Sequence, residues 1–275
     1  MINLLEYFIK GKQANPDLCE DGLVLGENLI AVIDGVTAKG TRLWEGKKSG
    51  CFAKDIFVNY LKQDVDKQTA EQLFSNLDKL LNESISNVEG TLPYEEFPRA
   101  SVIVYNDIYK EIWSYGDCQC RINEKIYNHV KKIDELNADL RAYYLEYYLE
   151  NGMSLQELRE DDLGRKAIGK NLIMQYEFEN KVGRWGYAVL NGTGIENSMI
   201  KKYSVKEGDT IVLASDGYPV LEGTLEQSEA ELRNILSNDS MCFRIYRSTK
   251  GVSKGNESFD DRVYCRFKIG YSCKV

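Results

Sequence analysis

Short unbroken apolar runs alternate along the chain with longer stretches in which apolar side chains recur every three or four residues. Leu29-Ile30-Ala31-Val32-Ile33 is continuous and partly β-branched, which predicts a strand buried on both faces. Ser101–Tyr105, Ile112–Tyr115, Thr210–Ala214 and Val263–Phe267 read the same way. Helices are predicted from spacing. Residues 49–62 place Phe52, Ile56, Phe57 and Tyr60 on one face, and residues 69–87 carry Leu73, Leu77, Leu80, Leu81 and Ile85. Residues 131–150 carry Ile133, Leu136, Leu140, Tyr143 and Tyr147. Apart from the helix at 49–62, the strands fall toward the two ends and the long helices in two blocks, around 69–87 and 131–177. That grouping predicts mixed sheets flanked by helices rather than a regular βαβ repeat. No shift in composition divides the chain, so residues 1–275 read as one domain, with 124–183 as an inserted helical lobe.

The 275 residues are 43% apolar and 28% charged, an ordinary globular composition. A net charge of −8, from 35 basic and 43 acidic residues, argues against a nucleic-acid backbone as partner. No apolar run approaches the roughly 18 residues that a membrane span needs. The opening MINLLEYFIKGKQ lacks a basic leader and a cleavage pattern, so a cytoplasmic chain is expected. Cysteines at 19, 51, 118, 120, 242, 265 and 273 are odd in number and scattered, which fits reduced thiols. Cys118 and Cys120 read as packing residues, and Tyr143–Tyr148 as a helix-packing surface. The single histidine, His129, reads as a solvated residue. Its isolation removes histidine-rich metal sites and the Ser-His-Asp triad, leaving carboxylates to carry any chemistry.

The placement of those carboxylates is informative. Strands lead into Asp34-Gly35 (AVIDG), Gly116-Asp117 (SYGDC) and Asp216-Gly217 (LASDG), Asp260-Asp261 precedes the last strand, and Glu20-Asp21 precedes the first. Each Asp-Gly alone is also an ordinary turn signal. If the strand ends lie side by side, two carboxylates about 5 Å apart repel by roughly 3 kcal/mol at an effective dielectric of ~20. A divalent cation removes that penalty, and an all-oxygen donor set suits Mg²⁺ or Mn²⁺. Glycine beside an Asp leaves room for a close backbone approach, so that its carbonyl can face an ion.

In order and spacing these elements resemble the PP2C family of metal-dependent protein serine/threonine phosphatases. Glu20-Asp21 stands thirteen residues before Asp34, Ser49-Gly50-Cys51-Phe52-Ala53 resembles the family's Ser-Gly-x-x-Ala helix start, and Gly116-Asp117-Cys118 its central Gly-Asp-Ser. GDTIVLASDG (residues 208–217) resembles the Gly-Asp-x-x-x-Leu-x-Ser-Asp-Gly element, and Asp260-Asp261 the closing Asp-Asn. The resemblance spans residues 15–269. It implies an α+β fold: a four-layer α-β-β-α sandwich of two antiparallel sheets flanked by helices, with the metals at one end between the sheets. It also implies two Mn²⁺ or Mg²⁺ ions. Asp34 would bridge both, Gly35 would offer its carbonyl, and Asp216 and Asp260 would complete the first. Asp21, with Glu20 beside it, would hold water ligands of the second, and Asp117 would support a third, weaker ion.

The implied reaction is hydrolysis of phosphoserine or phosphothreonine on proteins by a water between the two cations, with Asp34 and Asp216 acting through that water. The partner implied is a phosphoprotein, either a kinase or its target. Residues 124–183 would form the variable flap beside the metals. The chain departs from the pattern in four places. Pro16 stands where many members have a phosphate-gripping arginine, leaving Lys10, Lys12 and Arg42 as substitutes. Asp34-Gly35-Val36-Thr37-Ala38 replaces Asp-Gly-x-Gly-Gly, Val36 stands where some members have histidine, and Asp261 replaces asparagine. These departures keep a second reading open, a pseudophosphatase that uses the fold as a protein-binding module.

Overall fold

The computed structural model describes residues 1–37 and 39–271, so Ala38 of the altered Asp-Gly loop and Cys273 lie outside the described residues. The chain begins β1 (Ile2–Lys10), β2 (Asp21–Leu25), β3 (Leu29–Gly35), α1 (Ser49–Leu61), α2 (Ala70–Ser86), β4 (Ala100–Asn106), β5 (Glu111–Tyr115), β6 (Gln119–Ile122) and β7 (Lys125–Tyr127). It continues through α3 (Lys132–Glu150), α4 (Leu155–Glu160), α5 (Leu163–Ala167), α6 (Gly169–Met174), β8 (Lys201–Ser204), β9 (Thr210–Ala214), α7 (Leu225–Asn238) and β10 (Arg262–Ile269). The strands form two antiparallel sheets, ordered β1-β10-β9-β6-β7 and β2-β3-β4-β5-β8.

The unbroken apolar run in β3 has two faces to bury, because side chains alternate along a strand. Ile30 and Val32 meet Ile103 and Tyr105 of β4 and, from the other sheet, Leu213, Val263, Cys265 and Phe267. Ala31 and Ile33 join the opposite cluster, with Phe57 of α1 and Leu73, Phe74, Leu77 and Leu81 of α2. Beyond the other sheet, Val212, Ala214 and Tyr264 pack with Leu232 of α7. The layers therefore run helix, sheet, sheet, helix, the sandwich that the resemblance implied. α2 begins where a capping box forms between Thr69 and Gln72.

Several elements differ from the sequence reading. β1, β6, β7 and β8 have no unbroken apolar run. In β1, Leu5, Tyr7 and Ile9 remain exposed. On α3 the expected stripe is buried only at Ile133: Leu136, Tyr143 and Tyr147 are exposed, whereas Asn137, Ala138, Arg141, Ala142 and Leu145 are buried. Arg141 can be buried because its donors are satisfied. It donates to the carbonyls of Met241, Cys242 and Ser248 and to Asp162 Oδ2 at 2.7 Å. Gly164 of α5 then packs against α3, where a Cβ would come within 2.8 Å of Leu145 and 2.9 Å of the Arg141 carbonyl.

His129 is not a solvated residue. Its Nε2 lies 2.6 Å from the Tyr203 hydroxyl and its Nδ1 3.0 Å from the Cys118 carbonyl, and burial pulls its pKa down. Cys118 and Cys120 are fully buried, and all six described cysteines are free. Among the described residues no helix is long and apolar enough to cross a membrane.

Candidate metal centre

Antiparallel pairing brings the acidic residues to one end of the sandwich. Asp21 of β2 stands opposite Asp34 of β3, and Asp34 opposite Ser101 of β4. The Gly35 N–H donates to the Glu20 carbonyl at 3.0 Å. A Cβ at Gly35 would collide with the backbone carbonyls of Gly50 and Glu20, so only glycine lets β2, β3 and the start of α1 close up here. From the other sheet, Asp216 follows β9 and Asp260 precedes β10. Ser215 joins those two strands by accepting from the Val263 N–H at 2.9 Å and donating its own N–H to the Val263 carbonyl at 3.2 Å. After β5, Gly116 adopts a φ of +118°, a turn that lets Asp117 accept from the Ser101 hydroxyl.

Asp34, Gly35, Asp117, Asp216 and Asp260 line one cavity of about 500 Å³, which the α3–α6 lobe walls through Lys131, Asp134, Arg165 and Leu172. Glu20 and Asp21, 2% and 5% exposed, are buried and do not line it. The buried carboxylates disturb one another. Burial and then the neighbouring Asp216 hold Asp34 well above the usual carboxylate range, and burial with Asp261 does the same to Asp21. Burial, followed by Asp260 and Asp117, lifts Asp216 to about 7.

Three lysines answer part of this charge. Lys12 Nζ lies 2.9 Å from Asp261, 3.1 Å from Glu20 and 3.4 Å from Asp260. Lys131 Nζ lies 2.5 Å from Asp117, and Lys250 pairs with Asp260. Burial alone would raise Asp117 and Asp260; Lys131 in the first case, and Lys250 then Lys12 in the second, override it and hold both low. Among the described residues, the side chains of Asp34 and Asp216 form no hydrogen bond or ion pair. Asp21 Oδ2 and Glu20 Oε1 are also buried without a partner.

Orphaned oxygens and unbalanced carboxylates, with no sulfur or imidazole donor among them, suit a hard divalent cation. The residues therefore fit the metal that the resemblance implied, with Asp34 and Asp216 the best placed to hold it. Among the described residues no three such side chains close around one point, so the set is convergent rather than a finished cage.

Of the three basic residues weighed as substitutes for the absent arginine, only Lys12 reaches the cluster. Lys10 pairs with Glu257 at 2.6 Å, and the Arg42 guanidinium lies 5.0 Å from the Trp44 ring centre. Sequence reasoning missed Lys131, Lys250, Lys39 and Arg165, all in the cavity wall. They carry no periodic or glycine-flanked signal. The only trace was their location, Lys39 in the loop after β3, Lys131 and Arg165 within residues 124–183, and Lys250 in the long polar segment before β10.

No family model matches the sequence, and no curated protein does. Among solved structures, the serine/threonine phosphatase Stp1 from Staphylococcus aureus has a TM-score of 0.52 at 13% identity, with 98% of this chain and 96% of that one covered. A bacterial serine phosphatase has a TM-score of 0.51 at 14% identity, with 97% and 98% covered. At such low identity the likeness is one of architecture, and on it this chain is built on the fold of the bacterial PP2C-type serine/threonine phosphatases.

Proposed function

We propose that the chain is a metal-dependent phosphatase that hydrolyses phosphoserine or phosphothreonine on proteins. The observation that carries this reading is the pairing of Asp34 and Asp216. They come from different sheets, line one cavity and form no direct ion pair among the described residues. Mn²⁺ or Mg²⁺ held by these two, with Asp21 behind, would supply Lewis-acid activation of water and of the phosphoryl oxygens. Glu20, Gly35, Asp117 and Asp260 are the further ligands that the family resemblance implies, with two ions and a weaker third.

The chain's own cations suit the substrate side. Lys39 and Arg165 line the same cavity, and among the described residues neither forms an ion pair. Burial, then Arg165 and Lys250, lower Lys39 to about 7, outweighing the nearby Asp134 and Glu20, so these cations sit together without a directly paired anion. A phosphoryl dianion supplies that anion, so this pair takes the place of the arginine absent at Pro16. Residues 124–183 act as the flap that selects the phosphoprotein, a kinase or its target. Free, buried thiols support a cytoplasmic setting.

Hydrolysis of p-nitrophenyl phosphate and of phosphopeptides should require Mn²⁺ and fall at least about 100-fold in Asp34→Ala and Asp216→Ala. Full activity in chelator, or in both variants, would sink the reading. The pseudophosphatase alternative is favoured by one observation, the lysines already paired with Glu20, Asp117, Asp260 and Asp261. Tight calorimetric Mn²⁺ binding without turnover on any phosphopeptide would decide for it.

A further inference from the structure

Lys12 sits inside the acidic cluster rather than at its rim, with its side chain 15% exposed. Its backbone is tied at both ends. The N–H donates to Asp261 Oδ1 at 2.7 Å, and the carbonyl accepts from the Glu257 N–H at 2.8 Å. An ammonium has three N–H bonds to give, and here three carboxylates receive them, from Asp261, Glu20 and Asp260. Glu20 also accepts from the Thr37 hydroxyl, and its N–H donates to Asp261 Oδ2 at 3.3 Å, so the carboxylates are themselves held around the lysine.

Two departures from the PP2C pattern meet at this ammonium. Lys12 is the one cation on the loop that carries Pro16, and the asparagine position is filled by Asp261, which faces Lys12. The extra negative charge and the extra positive charge neutralise each other.

Resting on the metal-dependent reading above, we infer that Lys12 is the built-in cation of the Glu20, Asp260 and Asp261 half of the cluster, and that the chain takes up a single exchangeable divalent ion, on the Asp34 and Asp216 side. On that side no lysine or arginine lies within ion-pair distance of Asp21, Asp34 or Asp216 among the described residues, and Lys131 and Lys250, paired with Asp117 and Asp260, act on Asp216 only from further off. On the other side three carboxylates already face two ammoniums, Lys12 and Lys250. A second dication there would have to sit against Lys12 with little negative charge left to attract it.

Native mass spectrometry and Mn²⁺ electron paramagnetic resonance on the full chain test this. The wild type should hold one Mn²⁺ with the spectrum of an isolated ion. Lys12→Met should take up two and show exchange coupling, whereas Lys12→Arg should stay at one. Two coupled ions in the wild type overturn the inference and leave the phosphatase reading standing. One ion with no turnover does the reverse, and no bound ion overturns both. A folded Lys12→Met chain that still takes one ion overturns the assignment to Lys12. If circular dichroism shows that variant unfolded, the wild-type stoichiometry decides alone.

Discussion

A carboxylate buried beside other carboxylates binds its proton more tightly in the folded chain than in the unfolded one. Asp216 shows this most plainly, lifted from an ordinary 3.8 to about 7 by burial and by Asp260 and Asp117. Between those values the metal-free folded chain holds more protons than the unfolded chain, so its stability falls as pH rises through that window. Asp34 and Asp21 act in the same sense. Asp117 and Asp260, held low by lysines, act oppositely, and their contribution is lost as pH falls through their depressed values. In chelator the protein should therefore melt at a lower temperature at about pH 8 than at about pH 5.5, and Mn²⁺ should raise the melting temperature more at the higher pH. Melts that become steadily more stable with pH in chelator would contradict this. The acidic residues themselves were legible in the sequence because each follows or precedes an apolar strand. Lysine partners were not, since a long flexible cation in a polar loop leaves no pattern.

Helix α2 illustrates what periodicity reads and what it passes over. Its apolar spacing located Leu73, Leu77 and Leu81, all fully buried. The same face buries Asp78, which accepts from the backbone N–H groups of Asn191, Gly192 and Gly194 at 2.9, 2.8 and 2.7 Å. This carboxylate fastens the segment between α6 and β8 to the helix layer. Asp78→Ala leaves the buried Asn191 and Gly192 donors unpaired, and should cost about 3 kcal/mol. A urea midpoint unchanged by the substitution would remove Asp78 from that role. Helix α3 is the harder case. Its tyrosines suggested a buried stripe, yet Arg141 and two alanines face inward, because backbone carbonyls from residues 241–248 satisfy the guanidinium. No local rule announces that a charge will meet carbonyls a hundred residues away.

The cavity exists only once distant parts of the chain assemble. Lys39 comes from the loop after β3, Arg165 from α5, and Lys250 from the segment between α7 and β10. If Lys39 and Arg165 hold the phosphoryl group, Lys39→Ala and Arg165→Ala should each raise KM for a phosphopeptide about tenfold, the loss expected for one charge-assisted contact. Mn²⁺ binding should be unchanged in both. Equal KM in wild type and both variants would move substrate grip elsewhere. The amino-acid sequence by itself determined the buried strands and the acidic residues at their ends, because strand burial and Asp-Gly junctions are written in neighbouring residues. Only the tertiary structure decided which carboxylates face one another and which face Lys12, Lys131 or Lys250. The range of a charge is set by distance in space, and Lys12 and Asp261 are 249 positions apart along the chain.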